Sequence, residues 1–477
     1  MKFRVEEILN ATGGCLLAGR GDADAGVVCT DSRRVQAGQT FLALRGERFD
    51  AHDFLPDAVR LGAACLVIDR DETLPAHLKS KGACSCGCSK QGPSPAVTLV
   101  ADTQAALADL GRAARARLAC PVIAVTGSCG KTTTKEMIGQ ILLGRLRGRK
   151  PPASYNNSVG VPLTLLACEP DDEFVLCECG TNHPGEIAAL AAIARPTVAV
   201  VTLAAPVHLE GLGSIDGVAA EKGALVESLG PDGVAILNAD DPRVAAMAGR
   251  CRGRAVTVGT GEGADLRASD IVQTERSLTF MAAAAGGPPV RFEIPVMGRH
   301  NAVLALAAAA AAREAGVSLE DSAAALRAFQ AAPMRMAVRQ LGRITLVNDA
   351  FNANPRSTQA ALELLELWPA RRKVFFFGDM LELGDTSAAA HEEIGRAIAA
   401  AGIQRLICVG PQSQLTAAAA VAAGLDPAEV TVLDDSVAAA AMAPGLIADG
   451  DVVLVKGSHG IRMDRVAVAI ASVNKHS

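Results

Sequence analysis

The sequence predicts an α/β protein of three units, and two observations carry that reading. Short apolar runs recur along all 477 residues, separated by stretches of helical character; this alternation builds parallel sheets flanked by helices. From residue 122 onward the runs are near-continuous, as in VIAVT (122–126), VAVVTL (198–203) and VAIL (234–237), which suits strands buried on both faces. At ~100–200 residues per domain the length allows two to four domains. Changes of texture place the boundaries at 1–100, 101–331 and 332–477.

Composition narrows the class. Half of the residues are hydrophobic and 20% are charged, with 46 Lys and Arg against 51 Asp and Glu for a net charge of -5. A disordered chain is excluded as the dominant state, and a nucleic-acid partner is not expected. No apolar run approaches the ~18 residues that cross a bilayer. The start MKFRVEEILN has no apolar signal-peptide core, so a cytoplasmic protein without a membrane span is expected. The thirteen cysteines form an odd set in a large chain that needs no disulfide staples. Cys84, Cys86 and Cys88 lack the paired spacing of a standard zinc site. They read either as a plain exposed loop or as a structural or adventitious metal binder.

In the first unit FLAL (41–44), CLVI (65–68) and VTLV (97–100) are predicted as buried strands. Residues 102–118 form an amphipathic helix with Asp102 as its N-cap. The Ala-rich stretch 301–315 is a packed helix ending at Gly316. Beyond Pro333, ITLV (344–347), KVFFF (373–377), RLICV (405–409), VTVL (430–433) and DVVLV (451–455) alternate with helices. That pattern predicts a second doubly wound, Rossmann-like sheet.

The strongest local signal is VIAVTGSCGKTTTKEM (122–137), an apolar strand, a Gly-rich turn and a helix. Such a loop aims backbone N–H groups at phosphate oxygens. Gly127 and Gly130 permit close approach, Lys131 would neutralise phosphates, and Thr132 would offer its hydroxyl to Mg²⁺. Two residues separate the glycines where the general P-loop has four, so only the GK[ST] half of that rule is met. The middle unit is thus expected to be a P-loop-type, parallel-sheet ATPase domain. Glu178 and His208 each follow an apolar run, and strand C-termini are where ligands sit in parallel sheets. Taken alone, His208 reads as a loop histidine and Lys222, in AAEKGALVE, as a solvated helix charge.

These motifs resemble those of the Mur ligases, the ATP-dependent amide-forming enzymes of peptidoglycan precursor synthesis. The resemblance runs through TDSRRVQAGQTFLALRGERFDAHDF (30–54), TGSCGKTTTKEM (126–137), YNNSVGVPLTLL (155–166), ECGTNHPGEIAAL (178–190) and HLEGLGSIDGVAAEKGALVESL (208–229). It continues through NADDP (238–242), GRHN (298–301), NDAFNANPRST (348–358), FGDMLELG (377–384) and VKGS (455–458). It implies an amide ligase joining D-alanyl-D-alanine to the terminal carboxylate of UDP-MurNAc-tripeptide through an acyl phosphate. The alternative is another ligase of the superfamily, such as a tripeptide-forming Mur ligase or a folylpolyglutamate synthase.

The resemblance also assigns residues. The catalytic set is Lys131, His208, Lys222 and Arg335. Gly127, Ser128, Cys129, Gly130, Lys131, Thr132, Thr133, Asn238, Asn301, Arg335 and Asp349 would contact ATP. Two Mg²⁺ ions would be held by Thr132, Glu178, His208 and a Lys222 carbamylated with CO₂. The first domain would hold the UDP end of the substrate through Ser32 and Arg33, although Asp31 and Arg33 could equally form a turn-stabilising pair. Asn157, Asn352 and Asn354 are further substrate contacts, the last two being turn formers by residue type. A monomer is expected. The chain departs from the family pattern at Ala51, Ser154 and Leu304, where Gly, Asn and Asn are usual.

Overall fold

The computed structural model describes residues 1–46, 49–72, 74, 78, 94–152, 154–369 and 371–472. The Cys84, Cys86 and Cys88 segment lies outside them. The described strands form three sheets, of six, nine and six strands. The chain packs as two compact units. One comprises Met1–Ala124, Leu146–Gly180 and Ala188–Thr197, and the other Val125–Arg145, Thr181–Ile187 and Val198–Ser477.

In the first unit, strands β1 (Lys2–Arg4), β2 (Cys15–Ala18), β3 (Asp24–Cys29), β4 (Thr40–Leu42), β5 (Cys65–Ile68) and β6 (Ala96–Leu99) make a sheet of order β1-β3-β4-β5-β6-β2. Neighbours from β3 to β6 are parallel, and β1 and β2 close the edges antiparallel. Phe41, Leu66 and Val97 anchor its core. Asp102 caps the helix Thr103–Ala116, accepting from Ala105 N at 2.7 Å. Ala51 does no harm to its turn. Asp50 caps the 3₁₀ turn Ala51–Phe54, accepting from His52 N at 2.9 Å and from its ring Nδ1 at 2.7 Å.

The nine-stranded sheet begins with β7 (Val122–Thr126), β8 (Gly148–Arg149) and β9 (Phe174–Glu178). In the second unit it continues with β10 (Val198–Val201), β11 (Val234–Asn238), β12 (Arg254–Gly259), β13 (Leu266–Gln273), β14 (Leu278–Ala284) and β15 (Val290–Ile294). Strands β10 to β13 pair parallel in sequence order. The sequence reading did not foresee the antiparallel wing β13-β14-β15. The wing buries one face only, as the alternation in β13 and β14 shows, and tight turns at Thr274–Ser277 and Gly286–Gly287 replace helical crossovers. The Ala-rich helix Asn301–Arg313 is buried at every position from Asn301 to Ala312. Gly316, at φ 84°, follows its end.

The last sheet has order β16-β17-β21-β18-β19-β20, with β16 (Ala337–Leu341), β17 (Ile344–Asp349), β18 (Lys373–Gly378), β19 (Arg405–Val409), β20 (Val430–Leu433) and β21 (Val452–Lys456). All pairs are parallel except the β16–β17 hairpin. Helices cover both faces: Leu362, Ile394 and Ala417 pack with Phe375 and Phe377 on one, and Ala439 and Val466 with Val374 and Phe376 on the other. The sheet is doubly wound as expected, with β21 inserted between β17 and β18. Among the described residues no helix is long and apolar enough to cross a membrane.

Candidate active site

Strand β7 ends at Thr126, and the chain turns through Gly127 at φ 147° and Gly130 at φ 83° into the helix Lys131–Leu143. A Cβ on Gly127 would run into Thr202 Oγ1, and one on Gly130 would lie 2.9 Å from the Leu304 side chain. The loop is held from outside. Ser128 N donates to Leu203 O at 2.7 Å, Ser128 Oγ accepts from Ala205 N at 2.9 Å, and Thr202 Oγ1 donates to Cys129 O. Lys131 Nζ donates to Gly127 O at 2.6 Å, Thr132 is buried and Thr133 is half-buried. The helix thus presents its N-terminal N–H groups beside a lysine, an arrangement suited to phosphate. Gly127→Ala is expected to cost about 2–4 kcal/mol of stability, through a backbone angle Ala resists and the clash with Thr202. The urea midpoint checks this; an unchanged midpoint would contradict the loop geometry.

Lys222 lies on the helix Ile215–Glu227 at 1% exposure, which corrects the solvated-charge reading. Burial, then the charge of Lys131, pushes its amine down from 10.5 to about 7. Its neighbour Glu221 accepts from Gly185 N and Ile187 N, each at 2.7 Å, and so fixes the start of the helix Glu186–Ala194.

His208, at φ 54°, caps the short helix Leu209–Leu212. Its Nδ1 is hydrogen-bonded to Glu382 Oε2, and the imidazole holds that carboxyl below its usual range. Asn238 Nδ2 donates to Thr202 O at 2.8 Å while its Oδ1 accepts from Asp240 N at 3.0 Å. Asn301 Nδ2 donates to Met297 O at 2.6 Å. Asn301 is thereby tied to its own turn, and Asn238 both to its own turn and to the backbone just past the neighbouring strand β10. Leu304, where the family usually has Asn, packs against the phosphate loop at Gly130.

The last sheet brings Asn354 to the loop, its Nδ2 lying 3.3 Å from Cys129 Sγ. The same side chain caps the helix Pro355–Leu364, accepting from Ser357 N at 2.9 Å, so turn former and loop contact are combined in one residue. Asn352 Oδ1 accepts from Ala353 N at 2.9 Å. Asp349 Oδ1 accepts from Met336 N at 3.0 Å, and its other oxygen pairs with the buried Lys456. The Arg335 guanidinium lies 3.9 Å from the centre of the Phe351 ring, between Met334 and Met336 at φ 60° and 54°.

In the first unit Glu178 ends β9 at 1% exposure and accepts from Asn156 Nδ2 at 3.1 Å. Cys177 and Cys179 flank it as buried thiols, and burial pushes Cys179 up to about 12, consistent with packing rather than ligation. Ser32 opens a 3₁₀ turn capped by Asp31. Arg33 is 86% exposed, and its Nε and Nη2 each donate to Asp31 at 2.9 Å, so the turn-stabilising pair is formed. Asn157 Oδ1 accepts from Gly160 N at 2.9 Å at the start of the helix Gly160–Leu166. Sequence reasoning passed over Thr202, Asn156, Glu221, Glu382 and Lys456. Asn156, Glu221, Glu382 and Lys456 stand inside motifs that had been singled out, and Thr202 belongs to the run VAVVTL.

A glycine loop with Lys and Thr at a helix start, joined by a doubly wound sheet that reaches it through Asn354, defines a P-loop-type nucleotide-binding α/β protein. The chain belongs to the Mur ligase family. Residues 26–115 match the Mur ligase family catalytic domain, 125–312 the Mur ligase middle domain and 334–459 the Mur ligase glutamate ligase domain. It is 36% identical to the UDP-N-acetylmuramoyl-tripeptide–D-alanyl-D-alanine ligase of Escherichia coli (strain K12), over 94% of each chain. The structure of MurF from Acinetobacter baumannii is similar with a TM-score of 0.85 and 30% identity, covering 100% of this chain and 99% of that one. MurF ligase from Thermotoga maritima, in complex with ADP, is similar at 0.79 and 26%, covering 94% and 98%.

Proposed function

We propose that this chain is an ATP-dependent amide ligase joining D-alanyl-D-alanine to the terminal carboxylate of UDP-MurNAc-tripeptide, giving UDP-MurNAc-pentapeptide, ADP and phosphate. The observation that carries the reading is the buried Lys222 amine, pushed down to about 7 in part by Lys131 of the phosphate loop. A buried amine that gives up its proton near 7 can take up CO₂ and become a carboxylate, the role the resemblance gives this lysine. We assign substrate capture to residues 1–100, nucleotide binding to 101–331 and closure over the nucleotide to 332–477, in a cytoplasmic monomer.

A carboxylate acylates poorly because its oxide leaves badly. Transfer of the γ-phosphoryl group from ATP makes an acyl phosphate, whose phosphate leaves well. The dipeptide amine then attacks the acyl carbon, and the tetrahedral intermediate expels phosphate. Positioning and electrostatics carry this chemistry. Lys131 would follow the transferring phosphoryl group, and the loop N–H groups would hold the phosphates. Arg335 and Asp349 would meet phosphate and ribose, and Asn238 and Asn301 the adenine side. Ser32, Arg33, Asn157, Asn352 and Asn354 would contact the other substrates.

Among the described residues no group of three or more His, Cys, Asp or Glu forms a preformed metal cage. The donor set is instead mixed: the Thr132 hydroxyl, the Glu178 carboxylate, the His208 imidazole and Lys222. Mg²⁺ is usually held by one or two carboxylates together with substrate phosphates, a donor chemistry that Lys222 would match once it carries a carboxylate. An amine that loses its proton near 7 can add CO₂, forming an N–C bond and releasing one proton to give a carbamate. Bound Mg²⁺ would supply neutralisation of phosphate charge.

In the test, purified protein is given ATP, Mg²⁺ and UDP-MurNAc-tripeptide, with D-alanyl-D-alanine added or withheld. ADP release is expected to need the dipeptide, with an amino acid or glutamate as acceptor giving none. Release that ignores the dipeptide would sink the reading.

A further inference from the structure

We propose that Glu382 is a positioning residue for His208: its carboxylate accepts from Nδ1, fixing the Nδ1–H tautomer and leaving the lone pair on Nε2. The inference rests on the ligase reading, in which His208 is a metal ligand, and deepens it. Two bonds join the segments, His208 Nδ1 to Glu382 Oε2 and Leu209 N to Glu382 O at 3.1 Å. Both residues hold the left-handed backbone that side chains rarely adopt, at φ 54° and 63°. On one side, Gly211 N and Leu212 N donate to His208 O at 3.1 and 2.9 Å. On the other, Leu381 N donates to Ser458 Oγ at 2.9 Å. The two side chains are therefore aimed at one another by backbone that is itself pinned.

An ionised carboxylate only accepts hydrogen bonds, so the shared hydrogen belongs to Nδ1. A metal-binding imidazole commonly donates its second N–H to a carboxylate, which sets ring orientation and basicity. Here that carboxylate comes from 174 residues away. The C-terminal stretch must be seated before the imidazole is oriented, so its docking and completion of the metal site become one event.

The test uses the full chain with ¹⁵N-labelled histidine, His208 being assigned by the signal lost in His208→Gln. Nδ1–H is expected for His208 in the unmutated protein and in Glu382→Gln, whose amide oxygen still accepts, with a shift toward Nε2–H in Glu382→Ala. In parallel, the Mg²⁺ concentration for half-maximal ADP formation should rise about 10–100-fold in Glu382→Ala and far less in Glu382→Gln. An Nε2–H tautomer in the unmutated protein, the same tautomer in all three, or an unchanged Mg²⁺ requirement in Glu382→Ala would overturn the proposal. Dipeptide-independent ADP release would remove the ligase reading while leaving the tautomer result standing.

Discussion

Lys222→Met should keep the fold and lose the reaction. Methionine approximates the shape of the buried side chain but offers no amine to CO₂. On the proposed reading Lys222 would supply a carboxylate to Mg²⁺, and its loss would remove several kcal/mol of transition-state stabilisation, so ADP formation should fall roughly 10³-fold or more. Stability should move the other way. In the unfolded chain the lysine keeps its proton up to 10.5, and in the fold it gives the proton up near 7. Between those values the unfolded state binds more protons, so stability of the unmutated protein rises with pH across that window. The contribution is on the order of a few kcal/mol. Lys222→Met should flatten that rise and equal or exceed the unmutated protein in urea midpoint at pH 7, measured without metal in CO₂-depleted buffer. CO₂ depletion should also slow the unmutated enzyme, and bicarbonate should restore it. Near-normal turnover by Lys222→Met would refute the carbamate.

Lys131→Ala is the second large effect. The ammonium folds onto the carbonyl of Gly127, at the mouth of a loop whose backbone is fixed by Thr202 and Ser128. The loop should survive truncation, because none of those bonds involves Lys131. The phosphoryl group would lose its nearest loop cation, and turnover should fall roughly 10³-fold. The Lys222 amine should also titrate higher than about 7, since the Lys131 charge is the second cause of its depression. Single-turnover ADP formation, with the pH dependence of amine-directed labelling at Lys222, measures both. Full activity in Lys131→Ala would end the nucleotide-site assignment.

Much of the fold was legible because buried parallel strands write themselves as apolar runs. VIAVT, RLICV and VTVL are strands over the residues expected. The wing β13-β14-β15 was missed because half-buried antiparallel strands alternate, and RASDIVQ shows no continuous run. At the site, the glycine loop was legible because strand, glycines and GKT lie together, although two residues rather than four separate the glycines. Lys222 was not. A lysine on a helix is usually solvated, and only the fold shows that its helix buries it near Lys131. Glu382 was hidden for another reason: its partner is 174 residues away, and no local period marks a pair of that separation. Arg33 is intermediate. Both its possible uses were visible, and the intramolecular one is formed with Asp31.

The Ala-rich helix Asn301–Arg313 packs on the helix that carries Lys131 and Thr132, and it is buried all round. Its methyl groups act as a spacer gauge, since helix separation follows the side chains at the contact. The place of the phosphate loop is therefore set by side-chain volume along the alanines of that helix. A methylene added at a contact alanine is therefore expected to be felt as a displaced lysine at some distance from the change.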